Sequence, residues 1–219
     1  MQGSEKWGFV WWAIGDNAGR SVRAFFDYAG CPDFKVYLAN YEGSWRCHNQ
    51  GVPKGLEGFP VISNARNPYA RAVSYFLDIS RESYRKGEGE IEDIKKRIIN
   101  LVTHNIGFRY WNEWLQMETY PTYYIRVDSL EKDIKNIPLI IKNSKPEALE
   151  SALDNNIRKD NYNERYQWLE HPEMKWQREY DENGQFMWRH FYDQELADIV
   201  YEKWEPAFTL QGFDKDSWK

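Results

Sequence analysis

Apolar and polar positions fall into two periods along this chain, and the first clear segment is apolar almost throughout. Trp7-Gly-Phe-Val-Trp-Trp-Ala-Ile14 is bounded by polar residues, as expected of a central parallel strand covered on both faces. Gly15-Asp-Asn-Ala-Gly19-Arg20-Ser21 follows, and then Val22-Arg-Ala-Phe-Phe-Asp-Tyr-Ala, which is helical in spacing and closes at Gly30. Lys35 to Leu38 predicts a short strand. Asn40 to Gly58 is glycine-containing and long for a connection, which favours a functional loop. Val61-Ile-Ser-Asn-Ala reads as a buried strand that runs through Asn67-Pro68 straight into a helix. Asn67 suits the cap and Pro68 the first helical position.

Beyond a charged stretch from Arg81 to Asp93, residues Ile91, Ile94, Ile98, Leu101 and Val102 mark an amphipathic helix with Lys95, Lys96 and Arg97 on its wet side. Phe108 to Met117 is rich in Trp and predicts a short helix or lid segment. Thr122-Tyr-Tyr-Ile-Arg-Val127 has strand composition, and Asp128 with Glu131 forms a capping-box pattern after it. Ser144-Lys-Pro-Glu147 is a second such pattern, opening a helix through Leu153. Asp154 to Gly184 carries no periodicity. From Asp193 to Phe208 a stripe of Leu196, Ile199, Val200 and Trp204 predicts a packing helix. Strands alternating with helices imply an α/β fold, a single domain over residues 1–219 with a central parallel sheet flanked by helices. Ligands are expected at the C-terminal ends of its strands.

Composition narrows the function. A formal charge of -5 over 219 residues excludes a general nucleic-acid binder, which needs a net basic face, but permits a local basic pocket. Eleven Trp and fifteen Tyr suit either ring stacking on a ligand or a core of large side chains with a hydrogen-bonding edge. Cys31 and Cys47 are too few for a disulfide framework and lack metal-ligand spacing with the four histidines, so no metal site is expected. The apolar run Gly8 to Ile14 is too short to span a bilayer and lacks a basic flank and a cleavage site. The expectation is a soluble, cytoplasmic protein.

Two segments have the geometry to hold an anion. The strand-to-helix turn at Asn67-Pro68 leaves Arg66 at the strand exit and Ser74 two turns along the helix, beside the backbone N–H groups that a new helix presents. The ordinary alternative is a solvated arginine and a water-facing serine. The loop from Gly15 to Ser21 is the second segment. Strand, glycine loop and helix can wrap phosphate with backbone amides. Compared with G-x-x-x-x-G-K-[ST], it is one residue short and carries Arg20 where the lysine would stand.

Arg66-Asn-Pro-Tyr-Ala-Arg-Ala-Val-Ser74-Tyr-Phe resembles the 3'-phosphate-binding segment of sulfotransferases that use 3'-phosphoadenosine 5'-phosphosulfate (PAPS). Tyr192 to Phe208 with Gly212-Phe213-Asp214 is similar to the C-terminal helix and closing segment of that family, and Tyr124-Ile-Arg-Val-Asp-Ser-Leu130 to its later strand. The resemblance implies a P-loop-like sulfotransferase architecture and PAPS as co-substrate, with PAP as the desulfated product. It also implies that Arg66 and Ser74 bind the 3'-phosphate. Asn17, Ala18, Gly19, Arg20, Ser21 and Val22 would then cradle the 5'-phosphosulfate. It further implies transfer of a sulfuryl group to a hydroxyl or amine of a small-molecule, carbohydrate or peptide acceptor, without nucleic acid, membrane or metal.

Within that resemblance, His48 is the candidate base and Arg20 the candidate cation at the sulfuryl group. The family carries a lysine in its first loop where this chain has Asp16, a charge reversal beside a would-be dianion. Three readings are open: Arg20 supplies the cation, Lys54 reaches in from the long loop, or nucleotide is bound without transfer. The alternatives to a sulfotransferase are a PAP-binding pseudoenzyme, a carbohydrate-binding module lined by aromatics such as Trp11, Trp12, Trp45, Trp111 and Trp114, and a P-loop kinase or NTPase with Asp128 on its metal side.

Overall fold

The computed structural model describes residues 2–12, 19–36, 55–79, 91–104, 121–155 and 188–219. These group into two compact units, Met1–Arg66 with Asn112–Asp160, and Asn67–Trp111 with Asn161–Lys219.

The first unit is built on a five-stranded sheet. Gly8 adopts φ 71°, a conformation open to glycine, and its N–H bonds back to the Ser4 carbonyl at 2.9 Å. The apolar run therefore begins with a turn at Trp7-Gly8 rather than with a strand. β1 (Gln2–Ser4) folds antiparallel onto β2 (Phe9–Trp12), pairing Gly3 with Val10. A Cβ on Gly3 would lie 2.7 Å from the Phe9 carbonyl oxygen and 2.9 Å from Leu56 Cδ1, so this close approach requires glycine. All four residues of β2 are buried, as their unbroken apolarity predicts.

Helix α1 (Gly19–Tyr28) follows, then β3 (Lys35–Val36), β4 (Val61–Ala65) and, later in the chain, β5 (Tyr123–Arg126). The strand order is β3-β1-β2-β4-β5. β2, β4 and β5 are parallel to one another, whereas β1 runs antiparallel to both β2 and β3. The fold class is α/β as expected, but the sheet is mixed rather than wholly parallel, because the N-terminal hairpin inserts one reversed strand.

A 3-10 turn (Val127–Ser129) and three short helices complete the unit: α4 (Leu130–Lys135), α5 (Pro138–Asn143) and α6 (Pro146–Leu153), with α2 (Pro68–Ile79) and α3 (Ile91–Thr103) belonging to the second unit. Phe9, Trp11, Ile62 and Ile125 line one sheet face and share a core with Val22, Phe25, Phe26 and Ala29 of α1 and with Ile134, Ile140 and Leu153. Phe26 lies at the centre of that core, its ring 4.7 Å from Phe9 and 5.1 Å from Phe34.

Neither expected capping box forms. Ser129, not Asp128, precedes α4, and its hydroxyl donates to Asp133 instead of capping. Lys145 precedes α6, where Pro146 at the first helical position needs no donor partner.

The second unit is helical. It comprises α2 (Pro68–Ile79), α3 (Ile91–Thr103), a 3-10 turn (Trp188–Phe191) and α7 (Gln194–Gln211). Asp193 caps α7 by accepting from the Leu196 N–H at 2.9 Å, and Lys95 of α3 donates to the same carboxylate at 2.7 Å. Lys95, expected on the solvated face, is thus an inter-helix tie. Pro206 lies inside α7 and the helix kinks at Trp204 (φ -117°, ψ 16°), since proline removes one ladder donor and crowds the preceding turn. Gly212 at φ 69° ends the helix, with the Phe213 N–H returned to the Phe208 carbonyl at 2.9 Å. Among the described residues, no helix is long and apolar enough to cross a membrane.

Candidate functional site

The parallel register of the first unit brings two strand ends together. Val10, Trp11 and Trp12 of β2 stand opposite Val61, Ile62 and Ser63 of β4. β2 therefore ends beside the strand that ends at Ala65, and Arg66 is the next residue. The C-terminal ends of β2 and β4 are thus neighbours, at the edge where an open α/β sheet places its ligands.

Two polar contacts tie these strand ends together. On the face covered by α1, Trp11 Nε1 donates to Asn64 Oδ1 at 2.6 Å. On the opposite face Ser63 Oγ donates to the Trp12 carbonyl at 3.0 Å. Ser63 and Asn64 are fully buried, and their alternation along β4 accounts for one contact on each side. Nothing in the apolar pattern marked them as more than strand residues. The available signal was the polar pair Ser63-Asn64 inside an otherwise apolar strand.

Arg66 is 8% exposed and Ser74 is 6% exposed. The ordinary reading of a solvated arginine and a water-facing serine is removed by this burial, because a guanidinium taken out of water requires compensation by partners. Arg71, which lies inside the same motif, is also buried at 2% exposure. Its guanidinium carbon lies 5.9 Å from the centre of the Trp204 ring, within reach of a cation–π contact.

The start of α2 is closed more tightly than its sequence suggests. Asn67 Oδ1 accepts from the Tyr69 N–H at 3.0 Å, so one of the first-turn donors expected to face an anion is already capped. The Asn67 amide also donates to Ser217 Oγ at 3.0 Å and to the Ser217 carbonyl at 3.3 Å. The Tyr69 hydroxyl donates to the Lys215 carbonyl at 2.7 Å, and Tyr192 donates to the Tyr69 carbonyl at 2.8 Å. Burial pushes the Tyr69 and Tyr192 phenols upward, with Asp198 adding to the effect at Tyr69. Both remain protonated donors and are unsuited to act as bases. The segment Lys215–Ser217 belongs to the start of α2, a relation that no local pattern reveals.

β5 ends at Arg126, in register with Ala65. Its backbone N–H donates to Asp133 Oδ2 at 2.8 Å, and its guanidinium lies 3.5 Å from the same oxygen. Asp133 thereby organises the turn after β5. Tyr124 is pushed up to about 12 by burial, against the opposing charge of Arg126. Cys31 is pushed up to about 11, chiefly by burial, which marks a structural thiol and not a nucleophile.

Of the loop candidates, Gly19 opens α1, Ser21 is half-buried, and the Val22 side chain is fully buried in the core. Arg20 lies in the first turn of α1. Asp16, Asn17, Ala18, His48 and Lys54 fall outside the described residues, as do Trp45, Trp111, Trp114 and the side chain of Arg20. Trp11 and Trp12 are core residues, at 1% and 3% exposure. Among the described residues no group of three or more His, Cys, Asp or Glu could hold a metal ion. No family model, curated protein or solved structure matches this chain.

Proposed function

We propose that this chain binds a 3',5'-bisphosphorylated adenosine nucleotide and acts as a PAPS-dependent sulfotransferase. The observation that carries the reading is the parallel pairing of β2 and β4, which sets the end of β2 beside the strand that the buried Arg66 follows. Two anion-binding segments on adjacent strand ends suit a ligand with two phosphate groups a nucleoside apart. In this reading Arg66 and Ser74 take the 3'-phosphate, while Asn17 to Val22 supply backbone amides, with the Arg20 guanidinium, for the 5'-phosphosulfate.

Transfer is in line. The acceptor hydroxyl oxygen forms a bond to sulfur, the bond from sulfur to the bridging oxygen of PAP breaks, and the acceptor proton passes to His48. Charge on the equatorial sulfuryl oxygens is met by fixed cations, by analogy with phosphoryl transfer.

Isothermal calorimetry with PAP tests the binding reading. Wild-type protein binds, and Arg66→Ala weakens the affinity roughly 10–100-fold, the cost of a charge-assisted contact. Equal affinity of both proteins, or ATP with magnesium preferred to PAP, refutes it. Asp16 favours a second reading in which PAP binds but sulfate is not transferred. Incubation with labelled PAPS and an acceptor panel separates the two, and activity gained by Asp16→Lys would assign the cause to that carboxylate.

A further inference from the structure

We propose that Lys215–Ser217 is a positioning strap that locks the Asn67 amide in one orientation, and so holds the first turn of α2 ready for the 3'-phosphate. The inference rests on the nucleotide-binding reading above. Strap and helix start both belong to the second unit, and the ground of the inference is the direction of the hydrogen bonds between them.

An asparagine amide has a donor end and an acceptor end of nearly equal size. Either end fits beside a helix start, but only the oxygen caps it. The strap decides between them by offering lone pairs alone. Asn67 Nδ2 donates to the Ser217 carbonyl at 3.3 Å and to Ser217 Oγ at 3.0 Å. Ser217 Oγ has only acceptor capacity left for Asn67, because its proton is committed to the Asp214 carbonyl at 2.6 Å. The donor end must therefore face the strap, which leaves Oδ1 on the Tyr69 N–H at 3.0 Å. A turned amide would set its oxygen against two acceptors and its nitrogen against a backbone donor.

Tyr69 obeys the same rule, since its hydroxyl donates to the Lys215 carbonyl at 2.7 Å, a third strap acceptor. The strap is itself braced. The Phe213 N–H returns to the Phe208 carbonyl at 2.9 Å, the Ser217 N–H to the Asp214 carbonyl at 3.1 Å, and Lys215 pairs with Asp198 of α7 at 2.9 Å. Lys215 and Asp216 are exposed, so what they give α2 is direction more than buried apolar area. Ser74 lies on the same helix, and a fixed helix start fixes its place too. A turn ordered before the ligand arrives spares binding the cost of ordering it.

The test compares wild-type protein with Ser217→Ala, Ser217→Pro, Asp193→Ala and Arg66→Ala by PAP calorimetry, thermal melting and hydrogen exchange at the Tyr69 amide, under conditions where the first turn exchanges by local opening. Ser217→Ala deletes one strap acceptor, and Ser217→Pro also deletes the N–H that closes the strap turn. Asp193→Ala is the stability control, since it uncaps α7 at the end opposite the strap. The expected result is Tyr69 exchange about threefold faster in Ser217→Ala and about tenfold faster in Ser217→Pro, with PAP affinity lower by similar factors. Asp193→Ala keeps both quantities within about twofold of wild type despite its lower melting temperature. Unchanged Tyr69 exchange in both Ser217 variants overturns the inference, and so does faster exchange with PAP affinity lost no more than in Asp193→Ala. In either case weaker PAP binding by Arg66→Ala still upholds the nucleotide-binding reading. No PAP binding by the wild type overturns both.

Discussion

Replacing Asn67 by alanine removes every contact of one amide group that serves both the start of α2 and the segment Lys215–Ser217. Its Oδ1 holds the Tyr69 N–H at 3.0 Å, and its Nδ2 reaches Ser217 Oγ at 3.0 Å and the Ser217 carbonyl at 3.3 Å. Loss of an asparagine cap costs about 1 kcal/mol. The amide donation, shared between two acceptors, contributes about 0.5–1.5 kcal/mol net. Asn67 is only 4% exposed, so water does not readily replace either contact, and the upper half of the range applies. The total of about 2–2.5 kcal/mol corresponds to a fall in Tm of about 4–10 °C for a chain of this size. Asn67→Ser retains a capping oxygen and gives up the donation, so it falls between wild type and alanine. Urea unfolding at constant slope, followed by circular dichroism, measures both. The reasoning is refuted if Asn67→Ala unfolds within about 0.5 kcal/mol of wild type, or if the serine variant is the less stable of the two.

Three further perturbations have directions set by the structure. Asp193→Ala removes the α7 cap and the Lys95 tie, costing about 1 kcal/mol at neutral pH because the exposed ion pair adds little. The Asp193 carboxyl is lowered by the Leu196 N–H and then by Lys95, so its contribution is present above the usual carboxylate range and lost as pH falls through the folded value. The gap between wild type and variant in chemical denaturation should therefore narrow from about pH 6 to about pH 3, and a constant gap refutes the assignment. Gln211 is 1% exposed, and among the described residues neither amide atom has a hydrogen-bond partner. Gln211→Met should raise stability by about 1 kcal/mol in urea titration, and a loss of that size would show the amide to be satisfied in solution. Gly3→Ala forces a Cβ against the Phe9 carbonyl and Leu56. It should cost about 1–3 kcal/mol by thermal melting, and an unchanged Tm would refute the close approach.

Most helices and strands in the described residues were legible because their signals are local. The apolar run at Phe9–Trp12, the cap-proline pair at Asn67-Pro68 and the stripe from Leu196 to Trp204 each carry their period within a few residues. What escaped depends on partners distant in sequence. β1 is three residues long and has no pattern of its own; it exists because β2 and β3 offer it ladder partners. The two capping boxes failed for a related reason. Ser129 and Asp133 answer to the backbone of Arg126, an arrangement set by the end of β5 and not by helix spacing. At the candidate site, Arg66 and Ser74 were legible from their setting after a strand and along a helix. The Trp11–Asn64 contact was not, because strand pairing across 53 positions creates it.

The motif from Arg66 to Ser74 can be separated into residues that folding explains and residues that it does not. Asn67 caps the helix, Pro68 fits its first position, and Tyr69 packs at 4.7 Å on Phe208 while its hydroxyl holds Lys215. Ala70, Ala72 and Val73 are buried apolar positions, and Arg71 lies over Trp204. Apart from Arg71, whose buried guanidinium carries the same desolvation cost as that of Arg66, each of these would be selected by the stability of the second unit alone, so their agreement with a nucleotide-binding pattern says little about ligands. Arg66 and Ser74 differ. Both are buried polar groups at positions where an apolar side chain would avoid the desolvation cost. The same holds for Ser63 and Asn64, which precede Arg66 in the strand. Polar residues retained at a desolvation cost along one short stretch are what a preorganised anion site requires, since its donors must be fixed before the ligand arrives. Substitutions at these four side chains, rather than elsewhere in the motif, are therefore the ones that separate a ligand role from a folding role.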